Sequence, residues 1–207
     1  MLDSDQQNDC ILEAASGNDV IMIVEKAREG NREAFERLVG IFQDEVFRMI
    51  YYRTRSRFDA EDLTQEVCLR AYKNIRRLKD GDRFRSWLFG IAVNCVHDFH
   101  RKRQFFSLFD IFGGDNTAEK ESDGPDSTPT VRLENTEFWQ HINTLSSRLS
   151  RLEREVFFLR FMDHLSIKEI SQALNKNEST VKTHLYRALK KFKEDSALIE
   201  MIQGGLE

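Results

Sequence analysis

The chain has 207 residues, of which 40% are hydrophobic and 16 are phenylalanine, enough for one large or two small domains with an apolar core. Its three cysteines, at positions 10, 68 and 95, are widely separated and odd in number, which argues against a disulfide framework and favours a reducing compartment. No apolar run approaches the roughly 18 residues of a membrane span, and the acidic first residues do not resemble a signal peptide. We therefore expect a soluble, cytoplasmic protein without membrane insertion.

The net charge of −4 conceals two basic blocks. Residues 53–103 carry 13 basic and seven acidic side chains, and residues 148–193 carry 11 and five, so each block has a net charge of +6. The ends of the chain and the segment between the blocks are acidic. This pattern predicts two separate surfaces for a polyanion.

Helical periodicity recurs along residues 18–103, and the alternation typical of strands does not. Asp19 and Asn31 are predicted N-caps, with Gly30 as a helix stop between them, and Asp59 is expected to precede a third helix. A fourth helix is predicted from Arg83 to about Arg103. The inward positions expected on the last three helices are Phe35, Leu38, Val39, Phe42, Val46 and Ile50, then Ala60, Leu63, Val67, Ala71, Ile75 and Leu78, then Trp87, Ile91, Cys95 and Phe99.

Residues 104–135 change character. The apolar run FFSLFDIF is followed by GGDNTAEKESDGPDSTPT, whose polar, acidic and turn-forming residues predict a flexible linker. Residues 1–17 and 194–207 form an acidic N-terminal extension and an acidic tail. The predicted fold is therefore all-α, with two small helical domains at 18–103 and 136–193 joined by the linker.

The second domain ends in a predicted helix-turn-helix. Ser150 to Glu153 and Ser166 to Glu169 are capping boxes that open two helices, and residues 175–177 form a tight turn before the last helix. On that helix Val181, Leu185, Ala188, Leu189 and Phe192 form an apolar stripe.

The opposite face of the last helix mixes cations, hydroxyls and one aromatic ring. These side chains are suited to phosphates and base edges in the major groove, although an ordinary solvated face would look similar. The residues are Ser179, Lys182, Thr183, Tyr186, Arg187 and Lys190.

The predicted helix from Arg83 combines cations with aromatic residues, which is what single-stranded nucleic acid requires. Asn94 and Asp98, four residues apart, could hydrogen-bond the edge of one extruded base. The alternative is that Trp87 and Phe89 belong to the core and that Asp98 pairs with Lys102. The residues on or beside the predicted polar face are Phe84, Arg85, Trp87, Phe89, Asn94, Asp98, Arg101 and Lys102.

The helix after Asp59 has a different outer face, with carboxylates around an exposed leucine. Such a face suits a protein partner more than DNA, although a solvated charged face is the default for an isolated helix. Its residues are Asp62, Gln65, Glu66, Leu69 and Lys73.

The sequence contains no motif typical of an enzyme active site. The chain has no P-loop, no glycine-rich nucleotide fingerprint and no nucleophile motif, so we expect neither an enzyme nor a cofactor. Cys95 and His97 would point about 200° apart on a helix, so the segment CVHDFH predicts no metal site.

Two long stretches together resemble bacterial sigma factors. DAEDLTQEVCLRAYKNIRRLKDGDRFRSWLFGIAVNCVHDFHRKR is similar to sigma region 2, and LSRLEREVFFLRFMDHLSIKEISQALNKNESTVKTHLYRALKKF is similar to sigma region 4. The two-domain layout with a short acidic linker resembles the extracytoplasmic-function group, which is group 4 of the sigma-70 family. The resemblance covers about residues 20–103 and 136–193.

The resemblance implies a bacterial transcription-initiation factor that binds core RNA polymerase, through the beta-prime clamp helices and the beta flap, and also promoter DNA. It further implies a probable anti-sigma factor. The polymerase-binding residues would be Asp62, Gln65, Glu66 and Leu69. The minus-ten residues would be Arg83, Arg85, Trp87, Asn94, Asp98, Arg101 and Lys102, with the loop from Lys79 to Arg83 helping to capture a flipped base. The minus-thirty-five residues would be Ser179, Thr180, Lys182, Thr183, Tyr186, Arg187 and Lys190.

One alternative is a helix-turn-helix activator of the LuxR type, which binds duplex DNA as a dimer. The terminal helix of such proteins also reads much like STVKTHL. They usually carry a sensor or receiver domain, however, and the alternating strands of a receiver are absent from the sequence of residues 1–130.

Overall fold

The computed structural model describes the backbone of residues 17–112 and 148–193, with side chains for residues 19–103 and 148–193. The chain divides into two compact units, residues 1–123 and 124–207. All regular elements in the described ranges are helical, which confirms the predicted all-α fold class. The same ranges contain no helix long and apolar enough to cross a membrane. The acidic extension up to residue 16, linker residues 113–135, residues 136–147 and the tail 194–207 lie outside the described residues and stay predictions.

The described part of the first unit contains four α-helices. They are α1 (Gly17–Arg28), α2 (Arg32–Thr54), α3 (Arg57–Asn74) and α4 (Phe84–Phe112), with 3-10 turns at Ile75–Arg77 and Gly81–Arg83 between α3 and α4. Helix α2 packs against α1, α3 and α4, and α3 packs against α4. The side chains buried deepest between these helices are Val24, Leu38, Val46, Met49, Ile50, Val67, Phe89 and Val96.

The helix starts were predicted with mixed success. Asn31 caps α2 as expected, because its side chain accepts a hydrogen bond from the backbone N–H of Ala34 at 3.0 Å. Asp19 is not a cap, since α1 already begins at Gly17 and Asp19 lies in its first turn. Helix α3 is capped by Ser56 instead of opening after Asp59, whose own N–H donates to the Ser56 hydroxyl at 3.2 Å. Both aspartates therefore occupy the first turn, where a negative charge faces the positive end of the helix dipole.

Helix α4 runs to Phe112, nine residues beyond the predicted end at Arg103. The sequence contains no glycine or proline between residues 91 and 112, and the first stop signal is the Gly113–Gly114 pair. The apolar stripe of α4 was also misplaced, since Trp87, Ile91 and Phe99 are only half-buried while Cys95 is buried. The residues that fill the core from this helix are Phe84, Leu88, Phe89, Ala92, Val93, Cys95 and Val96.

The described part of the second unit is a helix-turn-helix with a preceding support helix. Its helices are α5 (Arg151–Phe161), α6 (Ile167–Ala173) and α7 (Glu178–Lys193), and all three pack against one another. Both predicted capping boxes are formed, at Ser150 with Glu153 and at Ser166 with Glu169. Asn175 adopts a left-handed conformation with φ 50°, which turns the chain between α6 and α7 as predicted.

The capping box of α5 also receives a contact from α7. The Glu153 carboxylate, only 4% exposed, accepts a hydrogen bond from Lys191 Nζ at 2.7 Å and another from the backbone N–H of Ser150 at 2.8 Å. Lys191 also donates to the carbonyl oxygen of Arg148 at 3.3 Å. The hydrogen bond from Lys191 lowers the pKa of Glu153 below its ordinary value. One lysine therefore fixes the last turns of α7 to the beginning of α5.

Gly81 lies where the second 3-10 turn passes closest to α1. A Cβ atom at this position would stand 3.0 Å from the carboxylate oxygen Oε1 of Glu25 and 3.2 Å from Cγ2 of Ile21. Gly40 in α2 offers a contrast, because a Cβ there would meet nothing within 4 Å. The missing side chain of Gly81 is what allows the turn to lie against α1.

We expect Gly81→Ala to lower the free energy of unfolding by about 1 kcal/mol, because the side chains of Ile21 and Glu25 must move by a few tenths of an ångström to admit the methyl group. Gly40→Ala is the matched control. It should raise the free energy of unfolding by about 0.5–1 kcal/mol, since alanine is the better residue in an open helical position. Scanning calorimetry of the full chain measures both, and equal melting temperatures for G81A and G40A would contradict the close approach.

We expect Lys191→Ala to reduce hydrogen-exchange protection of residues 151–161 by about 1–3 kcal/mol at neutral pH, since it leaves a buried carboxylate without its cation, with only the capping-box hydrogen bond from Ser150. Because the folded-state pKa of Glu153 is lowered, the stabilisation is complete above the ordinary value of 4.5 and is lost as the pH falls through the folded value. The difference between wild type and K191A should therefore shrink in acid.

Lys193→Ala is the control for this experiment, because Lys193 is an exposed lysine two residues further along α7. Mass spectrometry of exchanged peptides compares the three proteins in the intact chain. Equal protection of residues 151–161 in K191A and K193A would show that the tie to Glu153 contributes nothing.

Candidate nucleic-acid and protein interfaces

Helix α7 presents the predicted polar face to solvent. Tyr186 is 71% exposed, and Thr180 alone among the predicted residues of this face is half-buried. The exposed members are Ser179, Lys182, Thr183, Tyr186, Arg187 and Lys190. The Thr183 hydroxyl donates to the backbone carbonyl of Ser179 at 2.8 Å, and Lys182 Nζ lies 3.9 Å from the Glu178 carboxylate. Cations, hydroxyl groups and a phenol ring are thus available together along one side of the helix.

The inner face of α7 holds that surface in place. Val181, Ala188 and Phe192 are buried, and the Phe192 ring stacks on the Phe157 ring of α5 with centroids 4.3 Å apart. The predicted stripe was too wide, because Leu189 is 40% exposed and Leu185 is only half-buried. Since α7 is buried along a narrow stripe, most of its circumference remains accessible.

Helix α3 has an outer face of acidic, amide and apolar side chains. Asp62 and Gln65 are exposed as predicted, and Leu69 is 53% exposed. Sequence reasoning missed two aromatic side chains of this helix, Phe58 at 71% exposure and Tyr72 at 52%.

Phe58 and Tyr72 share the face of Leu69. Helical geometry places residues 58, 62, 65, 69 and 72 within an arc of about 80°, and this spacing in the sequence could have revealed them. Three large exposed apolar groups on one face are typical of a protein-binding surface.

The connector between α3 and α4 and the polar face of α4 place several predicted DNA residues at the surface. Arg83 is exposed and pairs with Asp80, with Nε 3.0 Å from the carboxylate. Asn94, Arg101 and Lys102 are exposed. These side chains are accessible to a nucleic acid.

Two aromatic residues of α4 cannot stack with bases. Phe84 is 2% exposed and Phe89 is 1% exposed, so the suggestion that they lie beside the polar face is wrong. Trp87 is half-buried, with its ring 5.8 Å from the Phe84 ring. The aromatic residues of α4 are drawn inward because this helix packs against both α2 and α3.

Arg85 is held against the protein. Its Nε donates to the Glu45 carboxylate of α2 at 3.0 Å, and both side chains are mostly covered. Its guanidinium carbon also lies 5.1 Å from the centre of the Phe89 ring. The Arg85 cation thus links α2 and α4, a role that the sequence analysis did not predict.

Asp98 is engaged by two arginines. Its Oδ1 accepts a hydrogen bond from Arg101 Nη2 at 3.0 Å, and its Oδ2 lies 3.5 Å from Nη1 of Arg70 on α3. Arg70 Nε also donates to Glu66 at 2.6 Å, within the predicted polymerase-binding face. The alternative pairing of Asp98 with Lys102 is therefore replaced by pairs with Arg101 and Arg70.

The described residues include no group of three or more histidine, cysteine or acidic side chains that could hold a metal ion. Cys95 is buried and Cys68 is half-buried. Burial raises the pKa of both thiols, which disfavours the thiolate form that metal binding requires.

Comparison with known proteins decides the family. The family described as "Sigma-70 region 2" matches residues 38–106, and "Sigma-70, region 4" matches residues 140–192. The chain belongs to the sigma-70 family, in its extracytoplasmic-function group. Sigma factors act in transcription initiation without bond chemistry of their own, so this sigma factor is not an enzyme.

Two curated relatives illustrate the similarity. The extracytoplasmic-function sigma factor BldN of Streptomyces coelicolor is 36% identical over 81% of this chain and 62% of BldN. SigW of Bacillus subtilis is 30% identical over 79% of this chain and 89% of SigW. This sigma factor therefore spans less than two thirds of BldN but most of SigW. The comparisons do not support the alternative of a LuxR-type activator.

Solved structures show the same fold. CnrH, solved with the cytosolic domain of CnrY, matches with a TM-score of 0.62 and 22% identity, over 88% of this chain and 97% of CnrH. RpoE of Bartonella quintana, solved with the anti-sigma factor NepR, matches with a TM-score of 0.57 and 18% identity, over 78% of this chain and 96% of RpoE.

Proposed function

We propose that this sigma factor binds core RNA polymerase, directs it to a particular set of promoters and helps to melt promoter DNA. The observation that carries the proposal is the outer face of α3, where exposed apolar side chains lie among acidic ones. A protein that binds only DNA does not need such a face, whereas a subunit that docks on a polymerase does. The basic blocks and the exposed faces of α4 and α7 supply the DNA contacts.

The polymerase-binding face comprises four predicted residues and two exposed aromatic neighbours. Its expected partner is the pair of beta-prime clamp helices, and the second unit is expected to meet the beta flap. Apolar contacts of Leu69 and its neighbours would supply most of the affinity, and the carboxylates would set orientation and specificity. The face consists of Phe58, Asp62, Gln65, Glu66, Leu69 and Tyr72.

The minus-ten element would bind the first unit at the connector and along α4. Exposed cations neutralise the backbone of the separated strand, and Asn94 offers both a donor and an acceptor to a base edge. Arg85 and Trp87 act in support, since the first is paired with Glu45 and the second is half-buried. The residues assigned to this element are Arg83, Arg85, Trp87, Asn94, Asp98, Arg101 and Lys102.

The minus-thirty-five element would bind α7 in the major groove of duplex DNA. Lys182, Arg187 and Lys190 can reach phosphates or guanine, and Thr183 and Tyr186 can meet base edges or thymine methyl groups. Ser179 and Thr180 lie in the first turn, where backbone N–H groups also favour a phosphate.

We also assign an anti-sigma partner and a cytoplasmic location. Both similar structures are complexes, one of CnrH with the cytosolic domain of CnrY and one of RpoE with the anti-sigma factor NepR. A protein that covers the α3 face would keep the polymerase away. Transcription initiation places the protein in the bacterial cytoplasm with the polymerase.

Run-off transcription with bacterial core polymerase on a pool of promoter fragments tests the proposal. Defined transcripts should appear only when the protein is added. Changing Asp62, Gln65 and Glu66 together to alanine should remove them, because the docking face loses its polar contacts. The control is R32A/E36Q on the exposed side of α2, which should transcribe normally. Specific duplex binding without core enzyme, and no transcripts with it, would contradict the proposal.

A second experiment separates base reading from phosphate contact on α7. Replacing a phosphate-contacting Lys190 with alanine should weaken holoenzyme binding to all promoters and reduce the slope of log affinity against log salt by about one. Replacing a base-reading Arg187 should relax sequence preference at one position and cost about 1–3 kcal/mol there. Binding is measured on a panel of single-base variants, and identical profiles for the two changes would reject this division.

A further inference from the structure

Arg70 is a side chain whose ion pairs join the proposed polymerase-binding face to the proposed minus-ten face. Its Nε donates to Glu66 Oε1 at 2.6 Å, one turn earlier on α3. Its Nη1 lies 3.5 Å from Asp98 Oδ2 on α4. Arg101 closes the chain by donating to the other oxygen of Asp98 at 3.0 Å. A continuous chain of alternating charges, which we name the charge relay, is formed by Glu66, Arg70, Asp98 and Arg101.

The charge relay is poorly suited to a purely structural role. The Arg70 side chain is 39% exposed, Glu66 is 45% exposed and Asp98 is 36% exposed. Ion pairs with this degree of exposure contribute little to folding because water screens them. The two helices already pack through apolar side chains, so the fold does not depend on the relay.

Arg70 holds its two carboxylates unequally. The contact with Glu66 is short and is a direct hydrogen bond, and it is the main cause that raises the pKa of Arg70. The contact with Asp98 is almost 1 Å longer, so Asp98 receives less of the positive charge. A partner that takes Glu66 into its own contacts therefore frees Arg70 to move closer to Asp98.

We propose that Arg70 is a positioning residue that couples polymerase binding to minus-ten binding. In the free protein Arg70 stays closer to Glu66, and the Asp98 carboxylate, held mainly by Arg101, keeps part of its negative charge beside the minus-ten face. When a cation of the polymerase pairs with Glu66, Arg70 closes on Asp98, neutralises it and leaves Arg101 facing the DNA. Coupling of this kind is reciprocal, so a change at Asp98 must alter the affinity for core polymerase. This inference rests on the proposed function.

The affinity for core polymerase tests the coupling. Arg70→Ala removes the cation that competes with the polymerase for Glu66, so this variant should bind core polymerase more tightly. Asp98→Asn removes the negative charge that draws Arg70 away from Glu66, so Arg70 stays paired with Glu66. This variant should bind core polymerase about threefold more weakly, a factor appropriate to a partly exposed ion pair. The double variant R70A/D98N should bind core polymerase as R70A does.

Two controls guard against indirect effects. Glu33→Gln removes an exposed carboxylate from the start of α2, outside both proposed binding faces, and should leave the affinity for core polymerase unchanged. Arg32→Ala breaks a pair of the same geometry, between Arg32 Nε and Glu36 at 2.8 Å, and should also leave it unchanged. Melting temperatures of all variants should stay close to that of the wild type, since these pairs are exposed.

The outcomes separate the inference from the proposed function. If the wild-type chain does not bind core polymerase, the proposed function fails. If the wild type binds and D98N weakens binding by the same factor in the wild-type and R70A backgrounds, the inference is wrong. Weaker core binding by R70A would also overturn it, because Arg70 would then contact the polymerase directly. A threefold loss in D98N that disappears in R70A/D98N supports the coupling.

Discussion

The packing of α4 against both α2 and α3 is the interaction on which the first unit depends. Phe84, Leu88, Phe89 and Val96 all turn inward toward these two helices. Up to residue 103, what remains of α4 is a polar strip that includes Asn94 and the exposed residues 101–103. Helix α3 also packs against two helices, α2 and α4, but only its Ala60, Val67 and Ala71 are buried, so it keeps a broad outer face. The roles proposed for these helices, α4 for nucleic acid and α3 for protein, agree with how much of each helix is buried.

In the second unit, too, the extent of helix burial decides which surface stays exposed. Helix α7 contacts α5 and α6 through a narrow stripe of Val181, Ala188 and Phe192. The rest of its surface is open, which a helix that enters a groove of DNA requires. Its orientation is fixed at both ends, by the left-handed turn at Asn175 and by the hydrogen bond between Lys191 and Glu153. A rigid support matters here because base reading needs side chains held in register.

Local signals in the sequence were sufficient for much of this architecture. Capping boxes, the Gly30 stop and the turn at Asn175 act over a few residues, and the structure confirms each of them. Periodicity failed where tertiary contacts set the burial, as on α4 with its two neighbours and at Leu189 on the rim of a narrow interface. Periodicity also does not predict which residues far apart in the sequence form ion pairs.

Distant pairs changed the interpretation of the candidate sites. Glu45 and Arg85 are 40 residues apart, and their contact turned a predicted DNA residue into a link between helices. The pairing of Arg70 with Asp98 likewise joins faces that the sequence analysis treated as separate. The exposed faces of α3 and α7 were predictable because exposure there follows from spacing alone. The partners of individual charges were not, because many acidic and basic residues of each block could pair with one another.

The hydrogen bonds of Lys191 have a consequence for exchanging promoter specificity between related sigma factors. Lys191 connects α7, the proposed DNA-binding helix, to Glu153 and to the carbonyl oxygen of Arg148, so α7 and the start of α5 are held together. A chimera that receives only α7 from a related sigma factor would place a different side chain opposite the buried Glu153 carboxylate. The new helix would then lack the hydrogen bond that holds α7 to α5. A chimera joined before Arg148 would carry the helix together with its own support. Exchanges between these proteins should therefore keep Arg148, Glu153 and Lys191 together in the transferred segment.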